Sequence, residues 1–159
     1  MINWTFEAGL QTSADIVQVA TDSKKIYDLF SNGNAVMTSS SHLSGTDRVN
    51  EAVSKIGLSD QDVIINIQGD EPFINPEDIN NLFDLVSKEE IEMATLYSDL
   101  KSLDELEDLN KVKILVNDGI ASNFFRETSL VNNIFIHQGV YAFKYKTLKS
   151  FVSWKPSDN

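Results

Sequence analysis

The fold is most clearly indicated by residues 63–72, which read Val63-Ile64-Ile65-Asn66-Ile67-Gln68-Gly69-Asp70-Glu71-Pro72. The first five are almost all apolar, as expected of a strand that is covered on both faces of a sheet. A glycine and two carboxylates follow at once, and such carboxylates are ligands that Mg²⁺ takes alongside substrate phosphates. Spacing alone leaves two interpretations open, a metal site or a tight turn in which Asp70 caps backbone amides.

On both sides of this stretch, short β-rich segments alternate with segments of helical period. The pattern predicts helices that begin near Ser23, after Gly45, at Pro76 and near Leu100. It predicts strands at residues 16–20, 35–38, 63–67, 93–97, 112–116, 121–125 and 134–143, and the hairpin-type turn Asp118-Gly119 is predicted to join the strands at 112–116 and 121–125. This order is typical of an α/β fold with a Rossmann-like, mostly parallel (mixed) sheet and flanking helices. Ligands of such sheets bind beyond the carboxyl ends of the strands.

Composition excludes several classes of protein. The chain has 159 residues, and 13 Lys and Arg against 24 Asp and Glu give a formal net charge of −11. The acidic excess disfavours nonspecific binding to a nucleic-acid backbone, which needs clustered cations. No apolar run is long enough to span a membrane. With 0 cysteines and no secretory signal at the start, we expect a reducing, cytoplasmic location and a single domain.

A second candidate segment lies between a predicted strand and a predicted helix and reads Ser44-Gly45-Thr46-Asp47-Arg48. Hydroxyls, a glycine and free amides at a helix start can hold a phosphate or a base edge. The alternative is structural: Thr46 would be the N-cap, and Arg48 would pair with Asp47 or Glu51.

The late strand offers a third candidate. A period of two places His137, Gly139 and Tyr141 on one side, so an imidazole and a phenol could face a cleft together. The alternative is a hydrogen-bonded His and Tyr of the core. His42 receives no role, and the acids of residues 99–108 are interpreted as a solvated helix face.

Taken together, several motifs resemble one family, the CMP-Kdo synthetases or 3-deoxy-manno-octulosonate (Kdo) cytidylyltransferases. The matching segments are residues 19–22, 44–48, 66–72, 93–96, 137–143 and Trp154-Lys155-Pro156-Ser157. The resemblance implies a nucleotidyltransferase-type fold and an enzyme that joins CTP and Kdo, with Mg²⁺ as cofactor and release of pyrophosphate, for lipopolysaccharide assembly.

The resemblance also implies roles for individual residues. Asp70 is the expected magnesium ligand and catalytic residue, and Ser44 and Thr46 are expected beside the nucleotide. The residues expected to contact Kdo are Gln68, Arg126, His137, Tyr141 and, with weaker support, Lys113. The alternative for Lys113 is a strand lysine with a buried stem and its head in water.

Finally, the resemblance implies that residues 1–159 are one nucleotidyltransferase-like domain and an incomplete piece of a longer chain, without its N-terminal triphosphate loop and C-terminal segment. We expect this piece alone to be inactive and to bind CTP poorly, and we expect the whole enzyme to be a homodimer. Its partners would be CTP and Kdo, with no nucleic acid or membrane. Two alternatives remain: a cytidylyltransferase for a modified Kdo-like acid sugar, and a noncatalytic nucleotide- or sugar-binding module.

Overall fold

The stretch around Val63 forms a strand, as predicted. The computed structural model describes residues 1–30, 32–88, 90–129 and 132–154, so Lys155, Pro156 and Ser157 of the last family motif lie outside the described residues. Within the described ranges there are six helices and seven strands. In chain order these are α1 (Ile2–Leu10), β1 (Val19–Thr21), α2 (Lys24–Leu29), β2 (Ala35–Met37), α3 (Gly45–Ser54), β3 (Val63–Ile67), α4 (Pro76–Ser87), β4 (Met93–Ser98), α5 (Leu103–Glu107), β5 (Lys113–Asn117), β6 (Ile120–Phe125), β7 (Ile134–Lys144) and α6 (Tyr145–Ser153).

The strands form two sheets. β1 and β2 pair in parallel, with Val19 opposite Ala35 and Thr21 opposite Met37. The five-stranded sheet has the order β3-β7-β5-β6, and β4 also pairs with β7. β5 is antiparallel to both β6 and β7, whereas β1 and β2 are parallel, so the structure contains both kinds of strand pairing, in agreement with the predicted α/β class.

The chain divides into two compact units. The first comprises Met1–Ala94 and the described residues from Tyr141 onward, and the second comprises Thr95–Val140. β4 and β7 each run through the division. None of the helices in the described ranges combines the length and the apolar character that crossing a membrane requires.

In the first unit, the core lies between β3, α3, the end of β7 and α6. Its buried cluster consists of Val53, Ile64, Phe143, Tyr145 and Leu148. β3 alternates, because Ile64 and Asn66 are buried while the residues on either side of each are half-buried. The prediction that β3 is covered on both faces holds fully for the face of Ile64 and Asn66 and only in part for the other face.

α4 follows its sequence signals closely. The Asn75 side chain accepts a hydrogen bond from the Glu77 N–H, and Pro76 occupies the first helical position, where its missing N–H costs no bond. The helical period predicts one apolar face of Ile79, Leu82, Phe83 and Val86; the structure buries all of these except Phe83, which is 42% exposed.

In the second unit, β5 and β6 form the predicted hairpin. Asp118 and Gly119 have φ values of 50° and 77°, which match the twist of the adjoining strands. Ile114 and Val116 are buried, whereas β6 is exposed from Ile120 to Phe124.

Two predicted elements are shorter than expected. β1 begins at Val19 rather than Ile16, whose side chain is 52% exposed and has no core to pack against. α5 covers five residues instead of ten, because the Asp108 side chain accepts a hydrogen bond from the Asn110 N–H and turns the chain. α6 was not predicted.

Candidate active site

In the first unit, α3 begins at the Ser44-Gly45-Thr46 segment. Ser44, not Thr46, is the N-cap: its backbone is extended, and its Oγ accepts a hydrogen bond from the Asp47 N–H at 3.1 Å. The same hydroxyl donates to Asp47 Oδ2 at 2.6 Å. Thr46 lies half-buried in the first helical turn, so the capping role assigned to it was wrong.

Gly45 brings this helix start next to the end of β3. A Cβ atom at Gly45 would lie 2.9 Å from Gln68 Nε2 and 3.2 Å from its Oε1, closer than real Cβ contacts allow. The Gln68 amide therefore lies directly over the Gly45 backbone. Two of the predicted segments, one assigned to the nucleotide and one to the sugar, are in contact here.

The turn after β3 presents Asp70 to solvent. The Glu71 N–H donates to the Gln68 carbonyl at 3.1 Å, which closes a turn over residues 68–71. α1 supports this turn, since the Thr5 hydroxyl donates to the Gly69 carbonyl at 3.4 Å. Among the described residues, the Asp70 carboxylate has no hydrogen-bond or salt-bridge partner, so it does not cap the turn.

These residues fit a magnesium ion that is shared with a substrate. The described ranges contain no group of three or more His, Cys, Asp or Glu side chains that could hold a metal. Mg²⁺, however, is usually bound by one or two carboxylates together with substrate phosphates and waters. An exposed, unpartnered carboxylate on a glycine turn offers a hard oxygen donor of this kind.

Arg48, in the first turn of α3, bonds to two segments, one after β1 and one after β2. Its Nη1 donates to Thr38 Oγ1 at 2.7 Å and to the Ser39 carbonyl at 3.2 Å, and its Nη2 lies 3.0 Å from Asp22 Oδ2. The predicted pairing with Asp47 or Glu51 was therefore wrong. Arg48 instead holds the segments that follow β1 and β2 against the start of α3.

Glu51 organises the loop that leads into Ser44. Its carboxylate binds the Lys55 ammonium at 2.7 Å, the Ser39 N–H at 2.9 Å, and His42 Nε2. These bonds, that from Lys55 foremost, lower the pKa of Glu51 to about 2. His42, which received no role from the sequence, thus ties this loop to α3.

Tyr141 belongs to the first unit and packs against the core cluster. It is half-buried, and its ring stacks on Phe143 with centroids 6.1 Å apart and an interplanar angle of 27°. Burial raises the pKa of its phenol, so it is a neutral hydroxyl near pH 7.

In the second unit, His137 is held on several sides. Its Nε2 lies 2.9 Å from the Thr95 hydroxyl, and its ring meets the Phe124 ring edge-on with centroids 5.2 Å apart. Its backbone N–H donates to the Val112 carbonyl at 2.9 Å. Burial lowers the pKa of His137, so the neutral imidazole predominates near pH 7.

Lys113 and Arg126 are also in contact within the second unit. Lys113 is fully buried, and its Nζ donates to the carbonyls of Asp108 at 2.5 Å and Arg126 at 2.9 Å. The alternative that its head lies in water was therefore wrong. Arg126 is exposed, and its Nη1 donates to the Leu109 carbonyl at 3.2 Å.

The structure thus joins some predicted residues directly and adds others. Gln68 meets the Ser44–Thr46 segment through Gly45, and Lys113 meets Arg126. Thr95 and the Asp22–Arg48 pair were not assigned roles from the sequence. Both lie in motifs already noted there, at residues 93–96, 19–22 and 44–48, but their partners are distant in sequence.

An α/β fold with a carboxylate turn after a strand, and a capped helix start in contact with the end of that strand, fits a nucleotidyltransferase-type protein. Comparison with known proteins gives the family. A family model described as "Cytidylyltransferase" matches residues 1–158, and the chain belongs to this family.

Its relatives include named enzymes. The "3-deoxy-manno-octulosonate cytidylyltransferase" of Vibrio parahaemolyticus is 33% identical over 99% of this chain and 69% of its own length. The enzyme of the same name from Haemophilus influenzae is 34% identical over 99% of this chain and 70% of its own.

Solved structures give the same result. A structure of CMP:2-keto-3-deoxy-manno-octonic acid synthetase complexed with CTP has a TM-score of 0.86 and 31% identity, covering 99% of this chain and 68% of the other. A 4-diphosphocytidyl-2C-methyl-D-erythritol synthase from Anaerococcus prevotii, at 17% identity and a TM-score of 0.60, shares the fold.

The contact between Gly45 and Gln68 can be tested by Gly45→Ala. The new Cβ would displace the Gln68 amide, whose far end is flexible, while alanine favours the helix by up to about 1 kcal/mol. We expect the side-chain amide signals of Gln68 to shift in NMR spectra, with no loss of stability in urea unfolding. In a Gln68→Ala background, Gly45→Ala should give the larger gain in stability. Unchanged Gln68 signals would contradict the contact.

The lowered pKa of Glu51 predicts that the stability of the protein depends on pH. Because its pKa is lowered from 4.5 to about 2 in the folded state, its contribution is present above pH 4.5 and is lost as the pH falls toward 2. Glu51→Gln should therefore be less stable than the wild type at neutral pH and converge with it near pH 2, as measured by urea unfolding across this range. Glu107→Gln, at an exposed position of α5, controls for net charge. A stability difference that does not change with pH would contradict this role.

Proposed function

We propose that the protein transfers CMP from CTP to Kdo, giving CMP-Kdo and pyrophosphate for lipopolysaccharide biosynthesis. The observation that carries this proposal is the similarity to enzymes named for this activity, at 33–34% identity over 99% of the chain. A structural relative that was solved with CTP supports the choice of nucleotide.

The reaction has a simple balance. The anomeric hydroxyl of Kdo attacks the α-phosphorus of CTP, forming one P–O bond. The bond from the α-phosphorus to the bridging oxygen breaks, and pyrophosphate leaves with that electron pair. The hydroxyl proton is released. Because no covalent intermediate with the protein is required, catalysis depends on positioning and on neutralising phosphate charge.

Asp70 is the residue that we propose holds magnesium. Its carboxylate is exposed and unpartnered among the described residues, which suits a ligand shared with phosphate oxygens. When bound, Mg²⁺ would neutralise triphosphate charge. The Glu71–Gln68 hydrogen bond closes the backbone turn from which this carboxylate projects.

Ser44 and Thr46 are proposed to lie beside the nucleotide. They stand at the start of α3, where backbone N–H groups and the helix dipole favour an anion or a polar base edge. The Ser44 hydroxyl already bonds Asp47, so its contribution is to shape this helix start.

Four side chains are proposed to contact Kdo. The exposed guanidinium of Arg126 suits the sugar carboxylate, since one edge can still donate while Nη1 is bonded to Leu109. The neutral imidazole of His137, the neutral phenol of Tyr141 and the amide of Gln68 suit its hydroxyls. Lys113 is proposed to act through Arg126, whose carbonyl it holds, because its ammonium is buried.

We further propose a cytoplasmic homodimer. The absence of cysteine agrees with a reducing compartment, and the family resemblance supports the dimer.

The proposed activity is tested by measuring pyrophosphate release from CTP and Kdo with the protein of the complete open reading frame. Turnover that depends on both substrates is expected. Inactivity with Kdo but turnover with an amino-Kdo would reassign the sugar and keep the reaction class. Binding of CTP without turnover of any acid sugar would favour a noncatalytic module and contradict the proposal.

The role of Asp70 is tested by Asp70→Asn. This change removes the charge and keeps the shape, so turnover should fall on the order of 100-fold or more, with a higher Mg²⁺ requirement. The unfolding free energy should stay within about 0.5 kcal/mol, because the residue is exposed. Asp84→Asn, on an exposed position of α4, is the matched control and should keep activity. Unchanged turnover at every Mg²⁺ concentration would exclude Asp70 as a ligand.

A further inference from the structure

The Thr95 hydroxyl has three polar neighbours from β7. Its Oγ1 lies 2.6 Å from the Val140 carbonyl oxygen, 2.9 Å from His137 Nε2 and 3.5 Å from the Gln138 carbonyl oxygen. All four residues belong to the second unit. A threonine hydroxyl has a single proton to donate, so these contacts cannot all be donated by Thr95.

Counting protons decides the direction of each bond. A carbonyl oxygen only accepts, and two oxygens 2.6 Å apart repel unless a proton lies between them. Thr95 therefore donates its hydroxyl proton to the Val140 carbonyl oxygen. The contact with His137 is then favourable only if Nε2 carries a proton and donates it to a lone pair of Thr95 Oγ1.

We propose that Thr95 is a positioning residue that fixes His137 as the Nε2–H tautomer and sets the orientation of its ring. The consequence for catalysis rests on the proposed function, in which His137 contacts the sugar. In the neutral ring, Nδ1 is then the nitrogen that carries a lone pair. His137 would meet a Kdo hydroxyl as a hydrogen-bond acceptor, with its ring plane set in advance.

The surroundings of the ring support this assignment. Burial lowers the pKa of His137, so near pH 7 the neutral ring carries one N–H, on either Nδ1 or Nε2. The Phe124 ring, at an interplanar angle of 88°, and the backbone bond to Val112 restrict rotation of the side chain. The Thr95 hydroxyl contacts Nε2 itself and therefore acts directly on which ring nitrogen is protonated.

The tautomer can be read without an activity assay. The chain contains 2 histidines, so a sample labelled with ¹⁵N-histidine gives two imidazole spin systems, and the one lost in His137→Gln belongs to His137. Long-range ¹H–¹⁵N spectra separate a protonated from an unprotonated ring nitrogen. We expect a protonated Nε2 and an unprotonated Nδ1 in the wild type at pH 7.5. A protonated Nδ1 with an unprotonated Nε2 would overturn the proposal.

Two variants isolate the hydroxyl. Thr95→Ser keeps it and should keep the wild-type tautomer. Thr95→Val keeps the shape and removes it, so the two tautomers should become mixed and the pKa of His137 should fall further, because the acceptor of Nε2–H is lost. If Thr95→Val does not fold, the spectra of the wild type and Thr95→Ser still decide the tautomer. An unchanged tautomer in folded Thr95→Val would also overturn the proposal.

Kinetics separate this inference from the proposed function. In the complete protein, Thr95→Val should raise KM for Kdo about threefold to tenfold and change kcat less, with Thr95→Ser close to the wild type. If the tautomer changes as expected while KM for Kdo does not, the inference about Thr95 stands and the contact of His137 with the sugar fails. If the tautomer is wrong in an active enzyme, the proposed function stands and the inference fails.

Discussion

The packing of α3 on β3 is the constraint on which the candidate site of the first unit depends. Val53 and Ile64 meet in the buried cluster, and this contact holds the helix and the strand side by side. Because α3 and β3 are held together, the start of the helix lies against the residue that follows the strand, with Gly45 next to Gln68. A Cβ at Gly45 would occupy the space that the Gln68 amide fills. A larger residue at Gly45 would displace the Gln68 amide and alter the approach to the turn that presents Asp70.

Hydrogen bonds and ion pairs hold the loops beside these packed elements in position. Arg48 and Glu51, on α3, each hold part of the chain that connects β2 to the helix, through Thr38, Ser39 and His42. In the second unit, Lys113 does the same for the chain beside Arg126. A buried ammonium without hydrogen-bond acceptors would be costly. The bonds from the Lys113 ammonium therefore restrain the two backbone carbonyls that accept them. These charged groups contribute mainly by holding backbone in position.

Sequence alone could predict local features, and it failed where distant residues meet. Asn75, Pro76 and the Asp118-Gly119 turn predicted α4 and the β5–β6 hairpin, because capping and turn geometry depend on neighbouring residues. Periodicity could not predict that Arg48 pairs with Asp22, which is 26 residues away, or that Thr95 meets His137, 42 residues away. The role proposed for Arg126 came from family resemblance alone. For Asp70, the pattern of strand, glycine and carboxylates left a metal site and a capped turn equally open, and the resemblance favoured the metal site.

The net charge of −11 then raises a question about the proposed substrate, a triphosphate. The first two cationic residues after Ser44 in the sequence are Arg48, in α3, and Lys55, at the C-cap of α3. Both form salt bridges with carboxylates. Asp70 adds a further negative charge at the turn. A triphosphate beside Asp70 would therefore be repelled unless a divalent cation lies between the two, with the amide groups at the start of α3 contributing partial positive charge. In the proposed reaction, a magnesium ion held by Asp70 would thus reduce this repulsion during binding as well as during turnover.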